Sequence, residues 1–379
     1  MTCAPAHRVL SPSPRSSAIL GICVGVAAAV AVISLNGGRV ATIQAHGPMI
    51  SECDGRIRSI VIQYVRGADF ATPIYRQLLL ALPADVHVYA VCPDQNSFNE
   101  LRGAVGISAG RLEPILTGHP MTAWSRDRWI ALSPARFQAP VTLLAPSAEN
   151  GAEIWEQRQG DERIADDLSH ALPALRADRS GLFFDGGDLL ADSQSVFVSP
   201  AAIRRNIQHT CQDRAELARL LSEQLQRHPI FLSDAPDHHV GMYLMAAGEG
   251  RVVVGDPSLA KPLLAPIELP GGPDFSASTQ ARFDSVAAAA AAAGYRVTRI
   301  PCIPSSDGKT FITYVNGLID QRDGCRVIYM PVFEGQDRLN VAAQTIWQNL
   351  GYRVAPIDVS SAFRYFGTLH CLVNVIKKT

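Results

Sequence analysis

Gly367-Thr368-Leu369-His370-Cys371-Leu372-Val373-Asn374-Val375 is the stretch on which the reading of this 379-residue sequence turns. A thiol this close to a chain end is rarely needed to fill a core. Three upstream segments carry the groups that would make it a nucleophile. They are Trp124-Ser125-Arg126-Asp127, Phe184-Asp185-Gly186-Gly187-Asp188 and Asp237-His238-His239-Val240-Gly241-Met242-Tyr243. Thr313-Tyr314-Val315-Asn316-Gly317 and Val327-Ile328-Tyr329-Met330-Pro331 lie between these segments and the cysteine.

Carboxylates, a histidine and a cysteine together point to guanidine chemistry. A guanidinium is planar, permanently charged and rich in donors, so paired carboxylates grip it best. Its central carbon is a poor electrophile and calls for a thiolate. One histidine can protonate the departing amine and then deprotonate water. Each residue also has a plainer reading. Asp127, between Arg126 and Arg128 and near Trp129, could be a surface ion pair beside a packed aromatic. Asp185 and Asp188 could be solvated acids of a tight turn, although two glycines at the end of an apolar run suggest close backbone approach. His239 precedes an apolar strand, Met242–Ala246, and His238 would take its place after a one-residue shift of register. Cys371 could be a buried cysteine of a terminal strand.

Composition narrows the function classes. Charged residues make up 18% and the net charge is −1, so there is no electrostatic footprint for nucleic acid. The N-terminal 1–45 segment reads as targeting sequence. Arg8 and Arg15 precede an uncharged run from Ala18 to Leu35. Its 18 residues would rise about 27 Å as a helix, the lower edge of what spans a bilayer. The basic flank predicts an exported body. Residues 18–35 are either an uncleaved anchor in the cytoplasmic membrane or a signal peptide cut near Ala45, with a periplasmic product. Loss of residues 1–45 leaves 31 basic against 35 acidic residues, a charge of −4. Export makes disulfides a natural expectation, with Cys302–Cys325 and Cys53–Cys92 as candidate pairs. No CxxC occurs, which argues against structural zinc.

From residue 56 onward the chain alternates strand and helix with no Pro- or Ser-rich linker, so residues 56–379 read as one domain. Strands are expected at Ser59–Val65 and Val86–Cys92, with a helix Pro73–Ala81 opened by Thr72. Gln212–Arg227 carries Leu217, Leu220, Leu221 and Leu225 on one helical face and ends before Pro229. The alanine run Ala287–Ala293 reads as a helix packed against a sheet and stopped by Gly294. Gly294-Tyr295-Arg296-Val297 follows this helix, and Gly351-Tyr352-Arg353-Val354 follows another, Leu339–Leu350. Short β runs, Arg251–Val254 and Arg326–Met330, precede each helix. This echo suggests a repeated strand-strand-helix-strand unit.

Taken in order, these motifs resemble the guanidino-group-modifying (pentein, or amidinotransferase-like) superfamily. Trp124-Ser125-Arg126-Asp127 resembles the W-x-R-D motif of agmatine deiminases. Asp185-Gly186-Gly187-Asp188, continuing to Val196-Phe197-Val198, resembles the acidic segment of arginine deiminases and dimethylarginine hydrolases. The Tyr314-Val315-Asn316 segment resembles a strand of agmatine deiminases. Gly367-Thr368-Leu369-His370-Cys371 is similar to the ending of agmatine and peptidylarginine deiminases. The resemblance implies an α/β fold, a five-bladed propeller of ββαβ units around a central channel. It implies Cys371 as nucleophile, His239 as acid/base and Asp185 beside it. Asp127 and Asp185 would clasp the guanidinium, with Trp124, Asp188 and Asn316 as further substrate-binding positions. The implied reaction is Cys-dependent hydrolysis of a small or peptide guanidino substrate through a thiouronium intermediate, with no metal or organic cofactor.

The chain departs from that pattern in two places. The deiminases carry His-x-Asp, whereas His239-Val240-Gly241 puts glycine where the aspartate belongs. Losing one charge-assisted contact costs roughly 1.5–3 kcal/mol, so binding would be weakened or re-aimed. Asp188 and Asp237 are candidates to replace the acceptor. Arg364-Tyr365-Phe366 stands where agmatine deiminases have glycines, which suggests a differently shaped mouth. Two rival readings follow: an amidinotransferase, and a degraded domain that binds a cationic ligand.

Overall fold

Five short sheets, wired alike, hold all seventeen strands of the described residues. The computed structural model describes residues 46–106, 110–149 and 155–379, and His46–Thr379 forms one compact unit. The expected signal or anchor at residues 18–35 lies outside the described residues. Among the described residues no helix is long and apolar enough to cross a membrane.

In the first sheet, β1 (Ile57–Gln63) runs antiparallel to β17 (Val373–Lys378) and parallel to β2 (His87–Cys92), with β3 (Leu112–Leu116) at the edge. The second holds β4 (Ile130–Leu132), β5 (Val141–Ala145) and β6 (Leu175–Arg179). The third holds β7 (Leu189–Ala191), β8 (Ser195–Val198) and β9 (His228–Phe231). The fourth holds β10 (Leu244–Ala246), β11 (Arg251–Asp256), β12 (Arg296–Pro304) and β13 (Phe311–Thr313). The fifth holds β14 (Leu318–Arg322), β15 (Cys325–Val332) and β16 (Tyr352–Asp358). Each contains an antiparallel pair followed by a parallel partner. A parallel return needs a crossover, and a helix supplies it each time.

The echo in the sequence marks two of these crossovers. Gly294 (φ +91°) and Gly351 (φ +88°) end their helices in the left-handed region, which glycine adopts at no steric cost. The strands they release pair parallel with the strand before the helix, Arg251 opposite Arg296 and, one residue out of step, Arg326 opposite Tyr352.

Local boundaries follow capping chemistry. Helix Arg214–Leu225 starts after Asp213, whose carboxylate accepts from the Glu216 amide, and buries Leu217, Leu221 and Leu225. Helix Thr72–Ala81 differs from expectation at its start. Thr72 is its first residue and Ala71 precedes it without a side-chain cap, while Pro73 supplies the fixed φ of a first turn. The alanine helix begins well before its alanines, at Ala277, capped by Ser276. Its packing face is Phe283, Val286 and Ala290, while most of the alanine run is exposed or half-buried. Those alanines serve helix propensity more than packing.

The expected disulfides are absent: all six described cysteines are free. Cys302 lies inside β12 and Cys325 at the exposed start of β15, in different sheets. Cys53 and Cys92 are both buried in apolar core, and burial pushes each thiol up to about 12, so neither is a ready nucleophile.

One buried ion pair ties the first, second and third sheets together. Arg126, just before β4, donates to the Glu52 carboxylate, to Asn374 Oδ1 in β17 (3.2 Å) and to the Leu189 carbonyl of β7 (3.2 Å). Glu52 also accepts from His370 Nε2 at 3.1 Å, and Lys378 donates to the Glu52 carbonyl at 2.8 Å. Burial pushes the Glu52 carboxyl up, but the Arg126 guanidinium and His370 overcome this and hold it well below the usual carboxylate range. Glu52→Ala leaves Arg126 buried without its carboxylate and is expected to cost about 3–5 kcal/mol in denaturant unfolding. Asp85→Ala removes pairs with Arg56, Arg58 and Arg322 near solvent. It is expected to cost at most about 1 kcal/mol.

Candidate active site

The five segments that carry the motifs occupy equivalent places in the five units. Trp124–Trp129 leads into β4, Asp185–Asp188 into β7, His239–Met242 into β10, Tyr314–Gly317 into β14 and Gly367–Leu372 into β17. Three of them close as a single 3-10 turn just before the strand, at Gly186–Asp188, Val240–Met242 and His370–Leu372.

These segments also touch in cyclic order. The Arg126 amide donates to the Cys371 carbonyl (3.2 Å), and the Gly186 amide donates to the Asp127 carbonyl (2.7 Å). A Cβ on Gly187 would stand 2.4 Å from His239 Nδ1, so only glycine leaves room for that imidazole. A Cβ on Gly241 would lie 3.1 Å from Asn316 Nδ2 and 3.2 Å from His370 Nδ1. The His370 amide donates to the Asn316 carbonyl at 3.1 Å, and the circle returns to Cys371. Position 241 is therefore no vacant acceptor site, because Asn316 and His370 already pack against it.

Cys371, His239, Asp185 and Asp127 form one cluster, the cysteine buried and the other three half-buried. The Cys371 thiol donates to Asn316 Oδ1 (3.6 Å), and His239 is close enough for the two groups to influence each other. His239 Nε2 lies 3.7 Å from Asp185 Oδ2. Burial alone would lower the His239 imidazole. The neighbouring Asp185 carboxylate, the Cys371 thiol and the charges of Asp127 and Asp188 instead carry it well above its ordinary value. His238 goes the other way, down to about 3, through burial and the neighbouring His239 charge. It lies edge-on to Phe311 and stays neutral. The expected strand register does not arise, since both histidines precede a 3-10 turn rather than sit within a strand.

Arginines fill the carboxylate side of the cluster. Asp185 Oδ1 accepts from Arg128 Nη1 (2.9 Å) and Arg158 Nη2 (2.6 Å), and Arg158 Nη1 donates to Asp127 Oδ2 (2.9 Å). Arg128 is also held by Glu149 (3.0 Å) and Glu162 (2.6 Å). Burial raises the Asp185 carboxyl, but His239, Arg158 and Arg128 outweigh it and keep the group ionised. Asp127 is pushed upward by burial, against Arg158 and His239. A protonated imidazole beside a thiol, with carboxylates beyond it, can stabilise a thiolate and deliver a proton to a leaving group. Among the described residues no group of three or more His, Cys, Asp or Glu side chains could hold a metal ion.

The sequence-derived positions separate into two sets. Cys371, His239, Asp185 and Asp127 meet. Asn316 is a brace for the thiol segment, its Oδ1 accepting from Thr368 Oγ1 (2.7 Å) and the His370 amide (3.0 Å). Asp188 is spent on the local turn, accepting from Ser199 Oγ (2.6 Å) and the Asp185 amide (2.8 Å). Asp237 is exposed and paired with Arg204, so neither candidate replacement acceptor faces the cluster freely. Trp124 is half-buried, 5.5 Å from Phe70, which stacks on Tyr365 at 4.5 Å. Tyr365 and Phe366 are exposed, so aromatic rings stand at the surface just before Gly367. Sequence reasoning missed Glu52, Arg128 and Arg158. Arg128 stood beside Asp127 in the motif, but nothing in the sequence around Arg158 marks it.

No protein-family model and no curated protein matches this sequence. Solved structures do match its fold. The agmatine deiminase of C. jejuni superposes with a TM-score of 0.66 at 13% identity, over 89% of this chain and 98% of that one. A cysteine-to-serine variant of the C. jejuni enzyme with substrate bound gives 0.65 at 12%, over 89% and 98%. The agmatine deiminase of Enterococcus faecalis gives 0.65 at 12%, over 87% and 96%. The chain thus has the α/β fold of these pentein deiminases.

Asp161 offers a pH test of the cluster's surroundings. It accepts from the Thr122 amide (2.9 Å), Thr122 Oγ1 (2.8 Å) and Gln63 Nε2 (3.1 Å), and burial raises its carboxyl from 3.8 to about 7. A raised acid favours folding fully below pH 3.8 and loses that contribution as pH rises to about 7. Asp161→Asn, neutral throughout, is expected to gain thermal stability relative to wild type as pH rises from 4 to 7. Parallel Tm–pH curves for the two proteins would contradict this.

Proposed function

We propose that this protein is a Cys-dependent hydrolase of C–N bonds in guanidino substrates, with the five sheets as blades of an α/β-propeller. The cyclic contacts among the five strand-entry segments support the propeller. So do the shared apolar clusters, one joining the first and second sheets and another the second and third. The single observation that carries the function is the meeting of Cys371, His239, Asp185 and Asp127 from three of those segments and the C-terminal one. A structural neighbour that holds its substrate after a cysteine-to-serine change supports the role of a thiol in a site of this fold.

In this reading the Cys371 thiolate attacks the guanidine carbon while Asp127 and Asp185 hold the flanking nitrogens. The tetrahedral adduct collapses as one C–N bond breaks, and the departing amine takes a proton from His239. A thiouronium remains on Cys371. His239, now neutral, deprotonates water, whose oxygen attacks the same carbon, and the C–S bond breaks to return the thiolate. The sum is guanidine plus water giving a ureido product plus ammonia or an amine. The aromatic rings of Phe70, Trp124 and Tyr365 would receive the remainder of the substrate. Export, as read from residues 1–45, remains part of the proposal on sequence grounds.

Agmatine, arginine, methylated arginines and arginine peptides should be assayed for ureido product and ammonia. Cys371→Ser is expected to abolish turnover, and His239→Gln to lower kcat about 10²–10⁴-fold. Because protonated His239 is the acid for the first step, kcat/KM should fall as pH rises through its raised value. That alkaline limb lies above 6.5, the ordinary imidazole value. Absence of ureido product with every substrate sinks the hydrolase reading.

A further inference from the structure

The clamp assigned to the substrate already holds a guanidinium. Arg158 is 9% exposed and sits in helix Glu156–Asp161. Its Nη1 meets Asp127 Oδ2 at 2.9 Å and its Nη2 meets Asp185 Oδ1 at 2.6 Å. One planar fork thus spans the two carboxylates, the geometry expected of a bound guanidine. We propose that Arg158 is a tethered occupant of the guanidinium position, a specificity-determining residue that a substrate must displace. The proposal rests on the hydrolase reading for the assignment of Asp127 and Asp185 as the substrate clamp.

Three observations separate Arg158 from the structural arginines around it. Arg128 is divided among Glu149, Glu162 and Asp185, so no single guanidinium ligand could take over its contacts. Arg158 has hydrogen bonds to the two clamp carboxylates alone among the described residues, so a substrate guanidinium would replace its contacts one for one. The helix beneath it is firmly seated. A Cβ on Gly160 would come 1.7 Å from the Pro120 carbonyl oxygen, and Asp161 holds Thr122 and Gln63. Displacement therefore needs only rotation of the long side chain, not movement of the helix.

A tethered group competes at an effective concentration in the millimolar range or above. A small free guanidine has nothing to set against it except its own guanidinium. A substrate that brings contacts beyond that group has the advantage, so Arg158 selects for larger guanidino compounds.

The test is binding to the full chain carrying Cys371→Ser, with and without Arg158→Ala, which needs no turnover. Agmatine affinity by calorimetry is expected to rise at least about tenfold when Arg158 is removed. Guanidinium chloride at low millimolar concentration is expected to raise the Tm of the Arg158→Ala protein and leave its parent unchanged. If Arg158→Ala does not fold, Arg158→Lys serves, since one ammonium cannot reproduce the fork and an intermediate gain is expected. Equal affinity with and without Arg158, or no saturable binding in either protein, overturns the proposal. With Cys371 restored, turnover whose KM is unmoved by Arg158→Ala sinks this inference and leaves the hydrolase reading standing. Gained affinity without turnover of any guanidine does the reverse.

Discussion

Arg126 is the side chain on which the spacing of the site segments depends. Its guanidinium is buried, and its partners arrive from separate parts of the chain: Glu52 before β1, Leu189 in β7 and Asn374 in β17. Its amide holds the Cys371 carbonyl, and the neighbouring Asp127 carbonyl receives the Gly186 amide. A buried arginine is tolerated only with its charge answered and its donors used. Satisfying this one side chain therefore fixes the spacing of the segments that carry thiol and carboxylates. His370, bonded to the same Glu52, brings that constraint to the residue next to Cys371.

Around this brace the site is a dense ionic lattice rather than an open acidic pocket. Three arginines and His239 face Asp127, Asp185, Asp188 and Glu149. Such a lattice has little spare negative charge with which to attract another cation. It also explains why the carboxyls diverge. Asp185 gathers four cationic neighbours and stays ionised, while Asp127 has fewer and is pushed upward by burial. Unequal environments of this kind are how chemically identical groups acquire distinct duties.

Much of this was legible in the sequence because chemistry and backbone demanded the same residues. Gly187 is needed both for the tight acidic turn and for the His239 ring, so the Asp-Gly-Gly-Asp run stands out. The helix-to-strand glycines at 294 and 351 exposed the repeat because each must take positive φ. The choice between His238 and His239 was not legible, since it depends on which ring meets Asp185. Arg158 and Glu52 were invisible for a related reason. Their roles come from partners far along the chain, and no local periodicity or turn requirement flags them. The alanine helix misled in the opposite direction, since a conspicuous composition carried little of the packing.

The pairing of β1 with β17 joins the two ends of the unit, with the Arg56 amide donating to the Thr379 carbonyl (2.8 Å) and the Thr379 amide returning to Arg56 (3.0 Å). Sheet pairing links the last strand of the described residues to the first, and contacts run from one entry segment to the next. Chain order and spatial order are thus separable. A circularly permuted chain, opened in an exposed turn such as Asp323–Gly324 and keeping the Glu52 segment, would retain every neighbour described above. The cluster is held by contacts among its entry segments rather than by the order in which they follow along the chain.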